Sequence, residues 1–145
     1  MGQQQLLLIV LGIIIVGIAI AVGVTTFRSS AVDANRAQVI SDLNNLAAKA
    51  QRYYRTPVSM GGGGQNYQNF AVSALDTGNA NGSYSVTTTA PTGASYVAGS
   101  TAAVSSSAQT IYVVGCGTEK GDDATNKVKA YVTVTADDVT ATKLN

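Results

Sequence analysis

The amino-acid sequence predicts an α+β fold in which one long N-terminal helix packs on a small antiparallel β-sheet. Three observations predict it. A charge-free apolar run, Leu6–Val24, stands near the start of the chain; apolar residues at steps of three and four follow it; and three later segments are rich in Val, Thr, Tyr and Ile. The chain has 145 residues. Those that follow the run are enough for one small domain with one core.

The run Leu6–Val24 is long enough to cross a membrane. It carries no charge, and a helix of this length rises about 30 Å, which is the thickness of the hydrocarbon core. A cleavable secretory signal fits poorly, because "MGQQQ" has no Lys or Arg and "VGVTTFRSS" offers only a poor cleavage site. A plain anchor also fits poorly, since Arg28 would hold the domain on the cytoplasmic side. The run is better explained as a permanent structural helix.

The helix is predicted to continue beyond the run with one apolar stripe. That stripe holds Val32, Val39, Leu43, Leu46, Ala47, Ala50 and Tyr54. No Pro occurs before Pro57, so one helix from about Gln3 to about Arg55 would be roughly 80 Å long. We expect Tyr54 to pack in the core rather than to form an aromatic path with Tyr53, because adjacent helical residues point to different faces.

Strand and loop signals follow the helix. Pro57 and the glycine run 61–64 end it, and the glycine run is interpreted as a flexible loop. Strands are predicted at 83–89, 109–115 and 128–136, with shorter ones in "SYVAG" and "VTATKL". The segment "AGSTAAVSSSA" is predicted to be an exposed connection.

The chain is thereby divided into four regions. These are a hydrophobic helix (1–27), an amphipathic helix packed on the head (28–56), a glycine-rich connecting loop (57–82) and an antiparallel sheet head (83–145).

Composition excludes several classes of function. Nine basic and eight acidic side chains give a formal charge of +1, so no basic field indicates a specific nucleic-acid partner. Cys116 is the only Cys and there is no His, which excludes an intrachain disulfide, Cys/His zinc sites and His-dependent catalytic triads. We therefore expect no enzyme, no cofactor and no metal. Cys116 is interpreted as a small residue at a strand end.

Two other features have a functional and a structural interpretation. The acidic pairs at 122–123 and 137–138 are interpreted as solvated loops rather than Ca²⁺ ligands, because no spaced ligand loop surrounds them. Asn81 begins "NGS", which satisfies the N-glycosylation pattern, so Asn81 is a candidate acceptor.

This organisation resembles that of type IV pilins and pilin-like subunits. The resemblance covers the whole chain in architecture and is motif-specific over residues 1–55. It implies cleavage by a prepilin peptidase, methylation of the new N-terminus and packing of the N-terminal helices into the core of a filament. The partners implied are identical subunits, the inner membrane before assembly, the peptidase and the pilus assembly machinery. One departure is that the family's C-terminal disulfide is impossible with one Cys.

A second departure concerns the N-terminus. The family usually carries Glu as the fifth mature residue, and Gln5 stands there if Met1 is the processed first residue, as we expect. The Met1 amine would then be held in the filament by glutamine carbonyls or helix-end groups of neighbouring subunits, chiefly by Gln5. The alternative is cleavage between Gly2 and Gln3, which would place Leu7 at the fifth position.

Packing in the filament core is predicted for one set of residues. They are Leu6, Leu7, Val10, Gly12, Ile14, Gly17, Ile18, Ala21 and Gly23. The glycines allow close approach of neighbouring helices, or they let the helix loosen locally, and the sequence leaves both interpretations open.

The predicted function is that of the major structural subunit of an extracellular, type IV pilus-like helical filament that serves adhesion or surface motility. The subunit would be anchored in the membrane before assembly. Within the same family, the alternative is a pseudopilin of a secretion system. Outside it, the alternative is a single-span, membrane-anchored binding domain that does not polymerise.

Overall fold

The computed structural model describes residues 2–93 and 98–145. The four strands form one antiparallel sheet in the order β1-β2-β3-β4, so each strand pairs with the next along the chain. One long helix packs on this sheet, which confirms the predicted α+β fold. The elements are α1 (Gly2–Arg55), a short 3₁₀ turn (Val58–Met60), β1 (Gly82–Thr87), β2 (Ile111–Lys120), β3 (Lys127–Val134) and β4 (Val139–Lys143).

Helix α1 has the predicted length and the predicted buried face. It runs unbroken for 54 residues, or roughly 80 Å, and only its second half contacts the sheet. The seventh residue of the predicted stripe, Tyr54, is half-buried and packs against the core, with its ring centroid 4.8 Å from that of Tyr67. The other six are the buried residues of α1: Val32, Val39, Leu43, Leu46, Ala47 and Ala50.

The sheet turns alternate side chains toward α1. Gly115 lies between Tyr84 on β1 and Ala130 on β3, directly under the helix. A Cβ atom at Gly115 would lie 2.8 Å from a methyl carbon of Val39, so this glycine lets α1 approach the sheet closely. The fully buried aliphatic residues of the sheet include one, Val114, that points away from this face, because its neighbour Val113 points toward it. The others are Ile111, Val113, Val128, Ala130, Val132 and Val134.

The strands differ from the predicted ones mainly at the end of β2. This strand continues to Lys120 instead of ending near 115, because pairing resumes between Lys120 and Lys127 after a register shift that begins at Cys116. Cys116 therefore lies inside β2, and its predicted place at a strand end is wrong. β4 confirms the strand in "VTATKL". The strand in "SYVAG" falls largely outside the described residues, and its last two residues, 98 and 99, are not in a strand.

The glycine run closes the end of α1. Backbone N–H groups of Gly63 and Gly64 donate to the carbonyl oxygens of Tyr53 and Thr56, at 2.9 and 3.0 Å, which satisfies orphan carbonyls of the last helical turns. A Cβ atom at Gly63 would overlap the backbone carbonyl of Asn66, and Gly64 has a φ of 57°, in the left-handed region that favours glycine. The run is therefore an ordered cap rather than the flexible loop that its composition suggested.

The segments on either side of β1 complete the core. Tyr67 and Phe70, within the region predicted as a connecting loop, are buried. Val104 is also buried, and its backbone N–H donates to the carbonyl of Phe70 at 2.9 Å. The prediction that "AGSTAAVSSSA" is an exposed connection is thus wrong at Val104.

Candidate functional site

The residues predicted to pack in a filament core lie on the part of α1 that projects from the head. Among the described residues, α1 is long and apolar enough to cross a membrane, and none of its most apolar 18-residue stretch is buried. The large apolar side chains of the apolar segment, Leu6–Val24, are between 50% (Leu11) and 72% (Leu7) exposed. The core helix of a soluble protein would bury such residues.

The apolar segment is exposed on every side. Four successive residues, Ile13 to Val16, point in four directions around the helix, and each is more than half exposed. Apolar surface is stabilised by about 25 cal/mol for each Å² removed from water. The described part of the chain removes almost none of this surface, so the segment needs lipid or another apolar surface.

The glycines of the apolar segment have no packing role within the chain. A Cβ atom at Gly12, Gly17 or Gly23 would meet nothing within 4 Å, although each glycine disfavours the helix by up to about 1 kcal/mol relative to Ala. Gly12 and Gly23 lie on one side of α1, because the eleven steps between them complete about three turns. Close approach by another helix and local loosening are both consistent with this placement.

The first turn of α1 offers no carboxylate. It contains no acidic residue, so the positive end of the helix and its orphan N–H groups have no negative partner there. Gln5 is exposed on this turn, and its amide carbonyl is an acceptor without charge. Met1 lies outside the described residues, and the roles of Met1 and Gln5 stay predictions.

Two hydroxyl groups between the apolar segment and the head, those of Thr25 and Ser30, have hydrogen-bond partners within the helix. Thr25 Oγ1 donates to the carbonyl of Val22 at 2.9 Å, and Ser30 Oγ donates to that of Thr26 at 3.1 Å. A hydroxyl that already has a partner costs less to bury than a free one. These two hydroxyls can therefore lie in an apolar environment as well as in water.

An ion-pair network holds the β2–β3 loop against α1 where the helix enters the head. The Arg36 guanidinium lies 2.6 Å from a carboxylate oxygen of Asp33 and 2.6 Å from one of Asp122. Lys143 also pairs with Asp122, and the hydrogen bonds from Lys143 and Arg36 hold the pKa of Asp122 below its usual value. Asp122, one member of the acidic pair 122–123, is thus paired with cations of its own chain.

Asp42 fastens the start of β1 to α1. Its Oδ2 accepts hydrogen bonds from Tyr84 Oη (2.6 Å), Asn79 Nδ2 (2.8 Å) and Asn81 Nδ2 (3.3 Å), and Gln38 donates to Oδ1 at 3.3 Å. Burial raises the pKa of the carboxyl group, but these hydrogen bonds outweigh it and hold the pKa below its usual value. Burial, and then the bond to Asp42, raise the pKa of the Tyr84 hydroxyl.

The role of Asp42 was not predicted from the sequence. Its partners Asn79 and Tyr84 are 37 and 42 residues away, and the only local signal is an acidic residue beside the buried face of an amphipathic helix. The same contacts occupy Asn81. Its Nδ2, the atom that would carry a glycan, donates to Asp42, and its backbone carbonyl accepts from Asn35 Nδ2 at 3.0 Å. Glycosylation of Asn81 stays a prediction and would require this side chain to leave Asp42.

The remaining chemical groups of the head are mostly engaged with one another. A surface cleft of about 430 Å³ beside Asp42 also contains Lys49 and Asp76, which form an ion pair at 2.7 Å. Within 2–93 and 98–145, no three His, Cys, Asp or Glu side chains are placed to hold a metal ion. Cys116 is a half-buried free thiol. The most unusual surface of the described chain is therefore the apolar segment, not a pocket.

No family model, curated protein or solved structure matches this chain. The chain has a pilin-like architecture, in which a long apolar N-terminal helix packs through its second half on an antiparallel sheet. The sequence pattern and the structure are the basis for this description. That architecture is compatible with a pilin-like or a membrane-anchored role.

Proposed function

We propose that this chain is the major structural subunit of an extracellular, type IV pilus-like filament. In the filament, the apolar segments of many copies pack together and the heads lie outside. The observation that carries the proposal is the exposure, on every side, of an apolar segment attached to a head with a closed core of its own.

In a polymer of this kind, the apolar segment acts first as a membrane anchor and then as the filament core. Before assembly, lipid solvates the apolar segment, whose length matches a bilayer. After assembly, copies of the same segment cover it, so no apolar surface is left in water. Glycines with no contact in their own chain support this proposal, since small residues let helix backbones approach closely.

The proposal includes several roles that the resemblance implies. A prepilin peptidase would process the chain, the inner membrane would hold it before assembly, and a pilus assembly machine would extract it. Adhesion or surface motility would be the use of the filament on the cell. The head, with neither His nor a second Cys in the chain, is proposed to act as a structural element without catalysis.

One other function is favoured by a specific observation. The apolar segment has the length of a single membrane span, and a head anchored in this way could act as a binding domain that never polymerises. The two functions differ in whether copies or lipid cover the segment in the final state.

Imaging separates these functions. Material sheared from cells that express the chain is negatively stained, and its subunit is identified by mass spectrometry. We expect long fibres in which this chain is the main component. Recovery of the chain only as a detergent-soluble monomer in the membrane fraction would contradict the filament and support the anchored domain.

A further inference from the structure

We propose that a cleft where α1 enters the head binds the headgroup of an ethanolamine phospholipid. This inference rests on the membrane-anchored stage of the proposed function, and it adds which lipid the chain contacts at that stage. The shape of the cleft, its depth in a bilayer and the order of its charges support this binding.

The headgroup cleft lies between one side of α1 and the β2–β3 loop. Its volume is about 300 Å³, at the small end of the range for ligand pockets. Helix α1 contributes Thr25, Arg28, Ser29 and Val32, whose spacings of three, four and seven residues place them on one side of the helix. Asp122 lines the cleft from the loop. A small polar recess is thus formed at the point where the head begins.

Arg28 lies at the level of the lipid phosphates when Leu6–Val24 spans the hydrocarbon core. It follows Val24 by four residues, a rise of about 6 Å, and the headgroup layer is about 5–8 Å thick on each side of a bilayer. The cleft beside Asp42, by contrast, begins 18 residues after Val24, a rise of about 27 Å. The headgroup cleft is therefore within reach of lipid, and the cleft beside Asp42 is not.

The end of the headgroup cleft nearest the bilayer has hydrogen-bond donors to spare. Arg28 and Ser29 are exposed, and no residue of 2–93 or 98–145 forms an ion pair or a hydrogen bond with either side chain. A guanidinium binds a phosphate through two parallel N–H···O bonds, and a hydroxyl can add a third. Arg28 and Ser29 therefore suit one lipid phosphate.

The end nearer the head carries negative charge. Asp33 also lines the headgroup cleft, one helical turn beyond Ser29, and its side chain is 68% exposed. One carboxylate oxygen of Asp33 pairs with Arg36 at 2.6 Å, and the other has no partner in the described part of the chain. A primary ammonium has three N–H donors, so it can bind this second oxygen while its own phosphate contacts Arg28.

Ethanolamine fits this order of charges better than the other common headgroups. From the bilayer outward, the cleft presents a cation and then a carboxylate, which is complementary to a phosphate followed by an ammonium. A glycerol headgroup has a phosphate without a cation, so the Asp33 carboxylate would repel it. A choline headgroup has a cation without N–H groups, so it cannot donate a hydrogen bond to Asp33.

Native mass spectrometry of the full chain tests the headgroup cleft. The chain is released from detergent micelles that contain equal amounts of dioleoyl phosphatidylethanolamine, phosphatidylglycerol and phosphatidylcholine, and its lipid-bound forms are quantified. We expect the ethanolamine adduct to exceed each of the other two about fivefold, since one charged contact at a membrane surface is worth about that factor. Equal amounts of the three adducts would overturn the inference.

Two substitutions of exposed residues separate the two ends of the cleft. Arg28→Gln should lower all three adducts about fivefold, because every one of these lipids has a phosphate. Asp33→Asn should keep the phosphate contact and abolish only the preference for ethanolamine. Arg52→Gln is the matched control, since Arg52 is an exposed cation in the last turn of α1, and it should change neither quantity. Unchanged adducts with Arg28→Gln, or an unchanged preference with Asp33→Asn, would contradict the contacts assigned here.

Flotation with vesicles keeps this result distinct from the proposed function. A chain that floats with phosphatidylcholine vesicles but shows no headgroup preference would overturn the headgroup cleft and leave the anchored stage intact. A chain that floats with no vesicle would overturn both. A chain that prefers ethanolamine but forms no fibres would support the cleft and contradict the filament.

Discussion

The two halves of α1 belong to one unbroken helix but have opposite surroundings. In the half that enters the head, six residues are buried against the sheet and the loops. In the half that projects, the large apolar side chains are at least half exposed, and the glycines contact nothing. One continuous helix thus contributes to a closed core at one end and presents an uncovered apolar surface at the other.

This difference teaches that folding and assembly are separable in this chain. The buried half has its partners within the same chain, so its contribution to stability is present in a single copy. The apolar half is stabilised only by what comes from outside, lipid or other copies. Substitutions in the buried half should therefore change the stability of the head, and substitutions in the apolar half should change assembly.

The largest effect is expected for Leu43→Ala. Leu43 is completely buried between α1 and the sheet, and removal of such a side chain costs about 2–5 kcal/mol of unfolding free energy. Ile14→Ala is the matched control, since Ile14 is 53% exposed and should leave head unfolding unchanged. Denaturant unfolding of both variants in the same detergent measures this, and equal losses would contradict the separation of the two halves.

Assembly should respond in the opposite way. Ile14→Asp or Gly17→Asp places a carboxylate in the apolar segment, at a cost of about 2.5–3.5 kcal/mol at the centre of an apolar helix environment. We expect fibre yield to fall by about a hundredfold, with unchanged unfolding of the head. Sedimentation and circular dichroism measure the two quantities, with Ile14→Leu as the control. Normal fibres from Ile14→Asp would show that these helices do not form the core.

Acid should weaken the head through Asp42. Because the folded-state pKa of Asp42 lies below the usual Asp value of 3.8, the unfolded chain binds the proton more readily, and protonation favours unfolding. The contribution of Asp42 is therefore complete above about pH 5 and is lost as the pH falls through the folded pKa. Between pH 6 and pH 2, the free energy of unfolding should fall less steeply for Asp42→Asn than for the unsubstituted chain. The same dependence of unfolding free energy on pH in both chains would contradict this role of Asp42.

The smallest effect is expected at the start of the helix. Gln5→Leu keeps a side chain of similar size but removes the carbonyl that we expect to accept from the Met1 amine of a neighbour. A hydrogen bond to a charged group is worth about 1.5–3 kcal/mol, but the carbonyls of Gln3 and Gln4 can partly replace that of Gln5, so assembly should slow only several-fold. Light scattering measures the assembly rate. Gln5→Asn is the control for retained polarity. An unchanged rate in Gln5→Leu would remove the assigned role of Gln5.

The helix and its buried face could be predicted because periodicity is a local signal. The β2, β3 and β4 positions followed from β-branched residues, but the extension of β2 to Lys120 depends on pairing with Lys127 after a register shift, which no local preference shows. Tyr67 and Phe70 lie in a Gly- and Asn-rich stretch without hydrophobic periodicity. Their burial depends on tertiary contacts, so the local sequence did not predict it. The roles of Asp42 and of the glycine cap likewise arise only when distant segments meet.

The apolar segment was predicted for its length and lack of charge, and the structure adds that nothing in the described chain covers it.

The most direct test of the central claim removes the apolar half. A chain that begins at Ser29 keeps all six buried residues of α1 and loses the apolar segment. Analytical ultracentrifugation of this chain, beside the full chain under assembly conditions, should show a soluble monomer, while the full chain sediments as fibres. If the shortened chain still forms fibres, contacts between heads hold the polymer together, and the assignment of assembly to the apolar half is wrong.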